Sequence, residues 1–394
     1  MEGTLPGTMV EEKFTFSNFS PSESAEIHHN PYSFSEGCLL VVRSLDRTDI
    51  RTKNRELLSR LGQEITYQDV LATIPRECFE KDTVRGLASV ALHLGILAIS
   101  YAALAVAPVW AAPLLWVWIG TVIWGNFVLA HDCGHRSFSP YKWLNDFIGH
   151  TLLLPTLYPF HCWRIMHNRH HAWTNHQDND NSWKTLKPEE YMAMSPLDRF
   201  FYRHVHSYAW WFASEIHLFL FHYDKNKFRT QEWPEARFSI GVVLAFSALF
   251  FPALLYFTGL WGFISYWLMP WVVFHFWLST FTLIHHNHPD IPYYPAQDWN
   301  PVKAQLFGTV HCEYPWWVEL VCYKIGVHIP HHLSTAIPYY HLPQAHKAIK
   351  ANWPEFVHES KFNWSYVQSI VGNCHLSDKE GYHVPVRSVD KNLK

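Results

Sequence analysis

Two long blocks of the sequence contain no charged side chain, and they constrain the fold more than any other feature. No Asp, Glu, Lys or Arg occurs in the 45 residues from 86 to 130 or in the 47 residues from 238 to 284. A bilayer core about 30 Å thick takes roughly 20 apolar residues per helix, so each block is long enough to cross twice. The sequence therefore predicts four transmembrane helices arranged as two hairpins.

A turn signal near the middle of each block supports this prediction. Residues 107–113 (APVWAAP) and 257–262 (FTGLWG) contain Pro or Gly and carry no charge. All 31 Lys and Arg then lie on one side of the membrane, and the positive-inside rule makes that side cytoplasmic. The alternative is a soluble enzyme with two buried hairpins, but soluble cores rarely run this long without a charge.

The predicted fold class is an all-α polytopic membrane protein with a cytoplasmic helical cap, formed by residues 131–237 and 285–394. Residues 1–37 are polar and contain six Glu, so we expect a disordered N-terminal arm rather than an acid-poor plastid transit peptide. Residues 38–394 are predicted to form a single membrane domain. The net charge of -3 does not indicate the basic surface that nucleic-acid binding requires. Seven scattered Cys without a C-x-x-C pair predict neither a disulfide framework nor a thiolate zinc site.

Histidines are abundant, with 28 in the chain, and their spacing is informative. Intervals of three and four residues place imidazoles on one face of a helix, where they can offer nitrogens to a common point. Three groups of histidines have this spacing and are called boxes here: the first is His131 and His135, the second is His167, His170 and His171, and the third is His328, His331 and His332. An even number of predicted membrane crossings separates the boxes, so all three must face the same side of the membrane.

The chemistry of these boxes is that of a metal site. Imidazole suits zinc, iron, copper and nickel alike, but eight histidines exceed what one ion can use and predict two ions. At a membrane edge the accessible substrate is lipid. A hydrolytic zinc pair would recruit carboxylates and poise a water beside a general base, whereas oxidation of an unactivated methylene needs a redox metal with dioxygen. We therefore favour a two-iron oxygenase that acts on lipid.

Several stretches outside the histidine pattern give the chain a family resemblance. From about residue 70 onward it resembles the membrane fatty-acid desaturases, and most closely the acyl-lipid omega-6 (delta-12) desaturases of cyanobacteria and plastids. The matching stretches are residues 74–81 (IPRECFEK), 131–138 (HDCGHRSF), 158–161 (YPFH), 267–271 (WLMPW), 275–277 (HFW), 279–282 (STFT), 308–312 (GTVHC) and 328–334 (HIPHHLS).

The resemblance implies a non-haem diiron centre held by the eight box histidines together with His286. It also implies dioxygen as the oxidant and ferredoxin as the electron donor. We expect the donor to be external rather than a fused cytochrome b5 domain, because His288-Pro289 is followed by Asp290 and not by the Gly of a haem motif. The product would be a second cis double bond in an oleoyl chain esterified to a glycerolipid. The site would face the cytoplasm of a bacterial, cyanobacterial-type membrane.

The chain departs from the pattern of that subgroup at Lys324, Gly326 and His341, and at residues 184–186 (KTL). These positions leave open the donor docking, the lipid head group and the position of the double bond. A lipid hydroxylase or ketolase on the same diiron scaffold is one alternative. A histidine-rich metal transporter is another, although the predicted spans offer only His93 and His275 as ionisable residues. Asp132, Asp178 and Asp180 lie near the boxes and could orient ligand imidazoles.

Overall fold

The structure is a computed structural model that describes residues 47–390, so the predicted arm at residues 1–37 lies outside the described residues. The helices are α1 (Arg47–Arg60), α2 (Tyr67–Ala72), α3 (Thr83–Val106), α4 (Ala112–His135), α5 (Lys142–Leu153), α6 (Phe160–Trp173), α7 (Pro188–Ala193), α8 (Pro196–Val205), α9 (Ala213–His217), α10 (Trp233–Phe263), α11 (Met269–His286), α12 (Trp316–Val321), α13 (His328–Leu333), α14 (Leu342–Asn352), α15 (Trp364–Asn373) and α16 (Val386–Asp390).

Helices α3 and α4 form within and around the first charge-free block. The Asp82 side chain caps α3 by accepting a hydrogen bond from the Arg85 backbone N–H, and α3 ends at Val106, since the next residue, Ala107, has an extended backbone before Pro108. A break between the helices therefore occurs where the sequence predicts it. Helix α4 does not end with the block, because nothing in the next turn breaks a helix. It continues to His135 and carries the first box on its last two turns.

Within residues 47–390, three helical runs are long and apolar enough to cross a membrane: Thr83–Val106, Val109–His135 and Trp233–His286. The third run has 54 residues, but helical geometry is interrupted at Gly259, where φ is 65° and ψ is -170°. The ring centroids of Phe251 and Trp267 lie 4.6 Å apart across this break. In a continuous helix, two residues so far apart in sequence would be separated by about 24 Å. The run therefore cannot continue straight through Gly259.

Substitution of Gly259 tests this break. A backbone at φ 65° and ψ -170° is accessible essentially to glycine alone, so Gly259→Ala is expected to cost about 1–3 kcal/mol. Gly241 is a matched control, because a methyl group at either position meets no atom within 4 Å but Gly241 has an ordinary helical φ. Thermal unfolding in detergent should show a lower midpoint for Gly259→Ala and no loss for Gly241→Ala. Equal midpoints would show that the turn is unstrained.

Helices α4 and α11 pack side by side in the same direction. Trp277 on α11 donates a hydrogen bond to Thr121 on α4 over 2.8 Å, and one turn further along both helices Phe281 contacts Trp124, with 5.2 Å between ring centroids. Gly120 permits this approach, because a Cβ there would lie 2.6 Å from the Pro270 carbonyl oxygen. The carboxyl ends of both helices, which carry histidines, therefore lie at the same end of the pair.

The prediction of an all-α fold is wrong in one respect, because the described residues include two small sheets. Strand β1 (Val310–Glu313) pairs in parallel with β2 (His358–Lys361), and β3 (Leu376–Ser377) pairs antiparallel with β4 (His383–Val384). Four-residue strands whose partners lie far away in sequence carry no local periodicity, which is why the sequence does not reveal β1 and β2.

Candidate metal centre

All nine histidines predicted as ligands come together at the ends of four helices. His131 and His135 lie at the end of α4, His286 lies at the end of α11, the second box lies on α6, and the third box lies on α13. They form two groups. The five-histidine cluster is His131, His135, His167, His171 and His331, and the four-histidine cluster is His170, His286, His328 and His332.

The nitrogens in each cluster are close enough to share a metal ion. One nitrogen from each member of the five-histidine cluster lies within 4.8 Å of all the others, and the same holds for His170, His286 and His332. His328 joins the second group because its Nε2 lies 3.0 Å from Nε2 of His286. The structure thus has room for one ion in each cluster.

The division of the boxes corrects the expectation that each box points to one place. In the second box, His167 and His171 belong to the five-histidine cluster, whereas His170 belongs to the other. The third box divides in the same way. The residues four apart, His328 and His332, stay together, and His331 joins the opposite cluster. The second and third boxes therefore each contribute to both clusters, whereas both histidines of the first box belong to the five-histidine cluster.

Hydrogen bonds alone cannot satisfy these nitrogens. Nε2 of His171 faces Nε2 of His167 at 3.1 Å and Nε2 of His331 at 3.0 Å. Nε2 of His286 likewise faces two imidazole nitrogens, at 3.0 and 3.1 Å. One N–H can serve only one such contact. Both ring nitrogens of His135 are buried without a hydrogen-bond partner in the described part of the chain. A metal ion in each cluster would accept these lone pairs.

The protonation states suit that role. Burial, followed by the proximity of other imidazoles, lowers the pKa of His167, His171 and His331 well below its usual value of 6.5. Burial also lowers the pKa of His328 and His332 in the same way. These imidazoles are therefore neutral near pH 7, which is the form that binds a metal.

Two side chains orient imidazoles of the four-histidine cluster through their other nitrogen. Asp180 accepts a hydrogen bond from Nδ1 of His170 over 2.8 Å, and its second oxygen accepts one from the Asn175 backbone N–H over 2.7 Å. The side-chain oxygen of Gln305 lies 2.9 Å from Nδ1 of His332, and its amide donates to the His171 carbonyl over 2.6 Å. Gln305 was not predicted from the sequence. The only indication there is a single polar residue between the apolar residues Ala304 and Leu306.

The other predicted carboxylates behave differently from Asp180. One Asp132 oxygen lies 3.5 Å from Nδ1 of His131, while the other accepts a hydrogen bond from the Tyr339 backbone N–H over 2.9 Å. Asp178 is exposed and lies 3.7 Å from the Lys187 ammonium nitrogen. Its ion pair is therefore with a surface lysine rather than with an imidazole of either cluster.

Comparison with known proteins assigns this geometry to a family. A sequence model of the fatty acid desaturase family matches residues 108–364. The chain belongs to this family. A relative from Synechocystis sp., named sn-1 oleoyl-lipid 12-desaturase, is 47% identical over 320 residues, which cover 81% of this chain and 91% of the relative. The Anabaena variabilis protein of the same name is 40% identical over 338 residues, covering 85% and 97% of the two chains.

A third relative is the chloroplastic omega-6 fatty acid desaturase of Arabidopsis thaliana. It is 40% identical over 335 residues, which cover 84% of this chain and 74% of the relative. These matches confirm the predicted family and identify the chain as a desaturase, an oxidoreductase. Membership implies a lipid substrate and an external electron donor in general terms. The apolar helices fit a membrane protein, since Val106, Leu249 and Tyr256 are 85%, 77% and 83% exposed.

An apolar cavity of about 320 Å³ opens beside both clusters of the desaturase. Its walls include His131 and His167 from one cluster and His170, His286 and His328 from the other. Apolar and aromatic side chains form most of the remainder, among them Trp124, Phe127, Tyr158, Trp163, Met166, Leu278 and Phe281. This size and lining are typical of a site for an apolar ligand. The sequence does not predict the cavity, because its walls come from helices far apart in the chain.

His93 and His275, the two histidines within the predicted spans, lie outside both clusters. Nε2 of His93 lies 2.7 Å from the Val122 carbonyl oxygen, and Nδ1 of His275 lies 2.7 Å from the Ser214 hydroxyl. These contacts join α3 to α4 and α11 to α9. Both histidines therefore have packing contacts between helices.

The buried carboxyl group of Glu215 provides a pH-dependence test. Glu215 is 2% exposed, its oxygens have no hydrogen-bond partner in the described residues, and burial raises its pKa from 4.5 to about 8. The unfolded chain releases this proton near pH 4.5, whereas the folded chain holds it up to about pH 8. Glu215 therefore lowers the free energy of unfolding as the pH rises through that window, by about 1.4 kcal/mol per pH unit at most.

We expect Glu215→Gln to have a higher thermal midpoint than the unsubstituted protein at pH 8. At pH 5 the difference between the two midpoints should be smaller, because Glu215 is then protonated in the folded protein. Glu189→Gln, at an exposed position on α7, is the control and should leave the profile unchanged. If the thermal midpoints of Glu215→Gln and the unsubstituted protein change with pH in the same way, burial does not raise the pKa of Glu215.

Proposed function

We propose that the protein is an acyl-lipid delta-12 (omega-6) desaturase, which converts an oleoyl chain esterified to a membrane glycerolipid into a linoleoyl chain. The observation that carries the proposal is the pair of histidine clusters opening onto one apolar cavity. Relatives named oleoyl-lipid 12-desaturase, at 40% to 47% identity, support the substrate and the position of the double bond.

The two clusters would hold one iron ion each, with the nine imidazoles as ligands. The unpartnered nitrogens of His135 and the doubly faced nitrogens of His171 and His286 fit that assignment. When bound, the iron pair supplies the dioxygen-dependent oxidation that side chains cannot perform alone. The overall reaction consumes O₂, two electrons and two protons, removes two hydrogens from the acyl chain, and releases two molecules of water.

The protein's own groups position the substrate and keep water away. Trp163 stacks on His167, with 4.7 Å between ring centroids, and also contacts Phe127 edge-on at 5.2 Å. All three rings line the cavity. They would hold a methylene segment of the acyl chain against the clusters, while the surrounding aromatic wall excludes solvent.

The proposed topology has four transmembrane helices in two hairpins, with the break at Gly259 as the turn of the second. The contact between Phe251 and Trp267 supports a reversal there. The parallel packing of α4 and α11 supports a single site at one membrane face. We assign that face to the cytoplasm because all Lys and Arg would lie on it. The proposed membrane is bacterial and of the cyanobacterial type, and relatives of both bacterial and chloroplastic origin fit a membrane protein.

The proposed electron donor is ferredoxin, and reconstitution can test this choice. Purified protein in lipid nanodiscs containing oleoyl lipid would be supplied with reduced ferredoxin or, in a parallel reaction, with reduced cytochrome b5. We expect turnover with ferredoxin to be at least about tenfold faster. Faster turnover with cytochrome b5 would refute the donor assignment without affecting the reaction type.

The reaction itself can be tested by expression in a host that contains oleate, together with a ferredoxin donor. Mass spectrometry should locate a new cis double bond at carbon 12 of glycerolipid-bound chains. One methylene is worth only about 1–3 kcal/mol in an apolar pocket, so a shifted double bond would correct the regiochemistry alone. A hydroxyl or keto group would support the alternative oxygenase. An unchanged lipid profile from iron-loaded protein would contradict the proposed function.

A further inference from the structure

A third group of potential ligands lies apart from the nine histidines. It consists of His311 on β1, Glu359 on β2 and His346 on α14. His311 and Glu359 are register partners in the parallel pair, so their side chains stand on the same face of the small sheet. Helix α14 brings His346 to that face, where its ring centroid lies 4.4 Å from that of His311. One ligand atom of each residue lies within 4.8 Å of the other two.

The hydrogen bonds of this group leave lone pairs without partners. Nδ1 of His311 lies 3.0 Å from the Gly326 carbonyl oxygen, so that nitrogen carries the proton and Nε2 keeps its lone pair. His346 places Nε2 2.8 Å from a Glu359 oxygen. Nδ1 of His346 has no hydrogen-bond partner in the described part of the chain. The residue is 8% exposed, so water does not readily take the place of that partner. A buried lone pair left unsatisfied costs free energy that a ligand would recover.

We propose that His311, His346 and Glu359 bind one divalent transition-metal ion of the zinc class, separately from the two clusters. Two imidazoles and a carboxylate form a donor set that zinc binds, whereas magnesium and calcium prefer oxygen ligands throughout. The anchored Nδ1 of His311 matches the outer hydrogen bond that metal-bound histidines make to backbone carbonyls. The ion would tie α14 to the sheet formed by β1 and β2.

Lys350 sets the strength of this site. Its ammonium nitrogen lies 2.5 Å from the second Glu359 oxygen, while the first oxygen faces His346. The carboxylate can therefore contact an ion through one oxygen and the lysine through the other. A positive charge at this distance repels a cation, so removing it strengthens binding.

The test uses the full chain, loaded with iron and held in nanodiscs, and Co²⁺ as a spectroscopic substitute for zinc. After the iron content is measured, Co²⁺ titration should give visible d–d absorption that saturates at one equivalent per chain. His346→Gln and Glu359→Gln should each weaken this binding by at least about tenfold and leave the iron content unchanged. His204→Gln is the control, because His204 lies on α8 and belongs to none of the three groups of potential ligands. No added equivalent in the unsubstituted protein would overturn the proposal.

Lys350→Met tests the same site without removing a ligand, so its result does not depend on whether the ligand variants fold. This substitution keeps all three ligands and should tighten Co²⁺ binding by about tenfold. Unchanged affinity in Lys350→Met would contradict a site that includes Glu359. The readout is the stoichiometry and absorption of added Co²⁺, so the result does not depend on desaturase activity.

Discussion

Replacement of His331 by alanine is expected to abolish desaturation. Nε2 of His331 lies 3.0 Å from Nε2 of His171 within the five-histidine cluster, so the substitution removes one ligand and leaves a gap beside a second. Loss of an outer hydrogen bond to a metal ligand typically costs about 10- to 100-fold in metal affinity or activity. Loss of the ligand itself should cost more. The measurement is iron per chain together with conversion of oleoyl lipid.

His341→Ala is the matched control, since His341 lies ten residues further along the chain and outside both clusters. It should retain both iron and activity. The two variants should insert into the membrane at equal levels, because neither changes a membrane-crossing run. Full iron content and full activity in His331→Ala would contradict its assignment as a ligand.

Replacement of Asp180 by alanine has the second largest expected effect, a loss of about 10- to 100-fold in activity. Asp180 fixes the ring of His170 through a bond of 2.8 Å and also accepts a hydrogen bond from the Asn175 backbone over 2.7 Å. Without the carboxylate, the imidazole loses its orientation and the loop after α6 loses an anchor. Activity per iron, rather than total activity, is the quantity to compare.

Asp178→Ala controls for a general loss of negative charge in this loop. Asp178 is exposed and pairs with Lys187, so its removal should change activity less than twofold. The activity per iron of Asp180→Asn should lie between those of Asp180→Ala and Asp178→Ala, because the amide oxygen can still accept one of the two hydrogen bonds. Equal activity per iron in Asp180→Ala and Asp178→Ala would show that the orientation of His170 does not depend on this carboxylate.

The sequence predicts those features that depend on local composition and spacing. A stretch without charge is visible residue by residue, which is why α3, α4, α10 and α11 coincide closely with residues 86–130 and 238–284. The spacing within each box likewise predicts shared helix faces. His286 came from family resemblance alone, yet it lies among the other imidazoles and faces His170 and His328.

The remaining features depend on contacts between distant segments. The division of the second and third boxes between two clusters follows from how α6 and α13 are placed against α4 and α11, which no local pattern records. Gln305 orients His332 from a short π-helical turn about 30 residues away. The parallel pairing of β1 with β2 places His311 beside Glu359 in the same non-local way.

Quantitative metal analysis of the purified, full-length protein, combined with iron X-ray absorption, tests the central claim most directly. We predict two iron ions per chain in an environment dominated by imidazole nitrogen. We also predict that a ligand substitution in either cluster lowers the iron content, while His346→Gln leaves it unchanged. Active protein without iron, or zinc in place of iron in both clusters, would contradict the account.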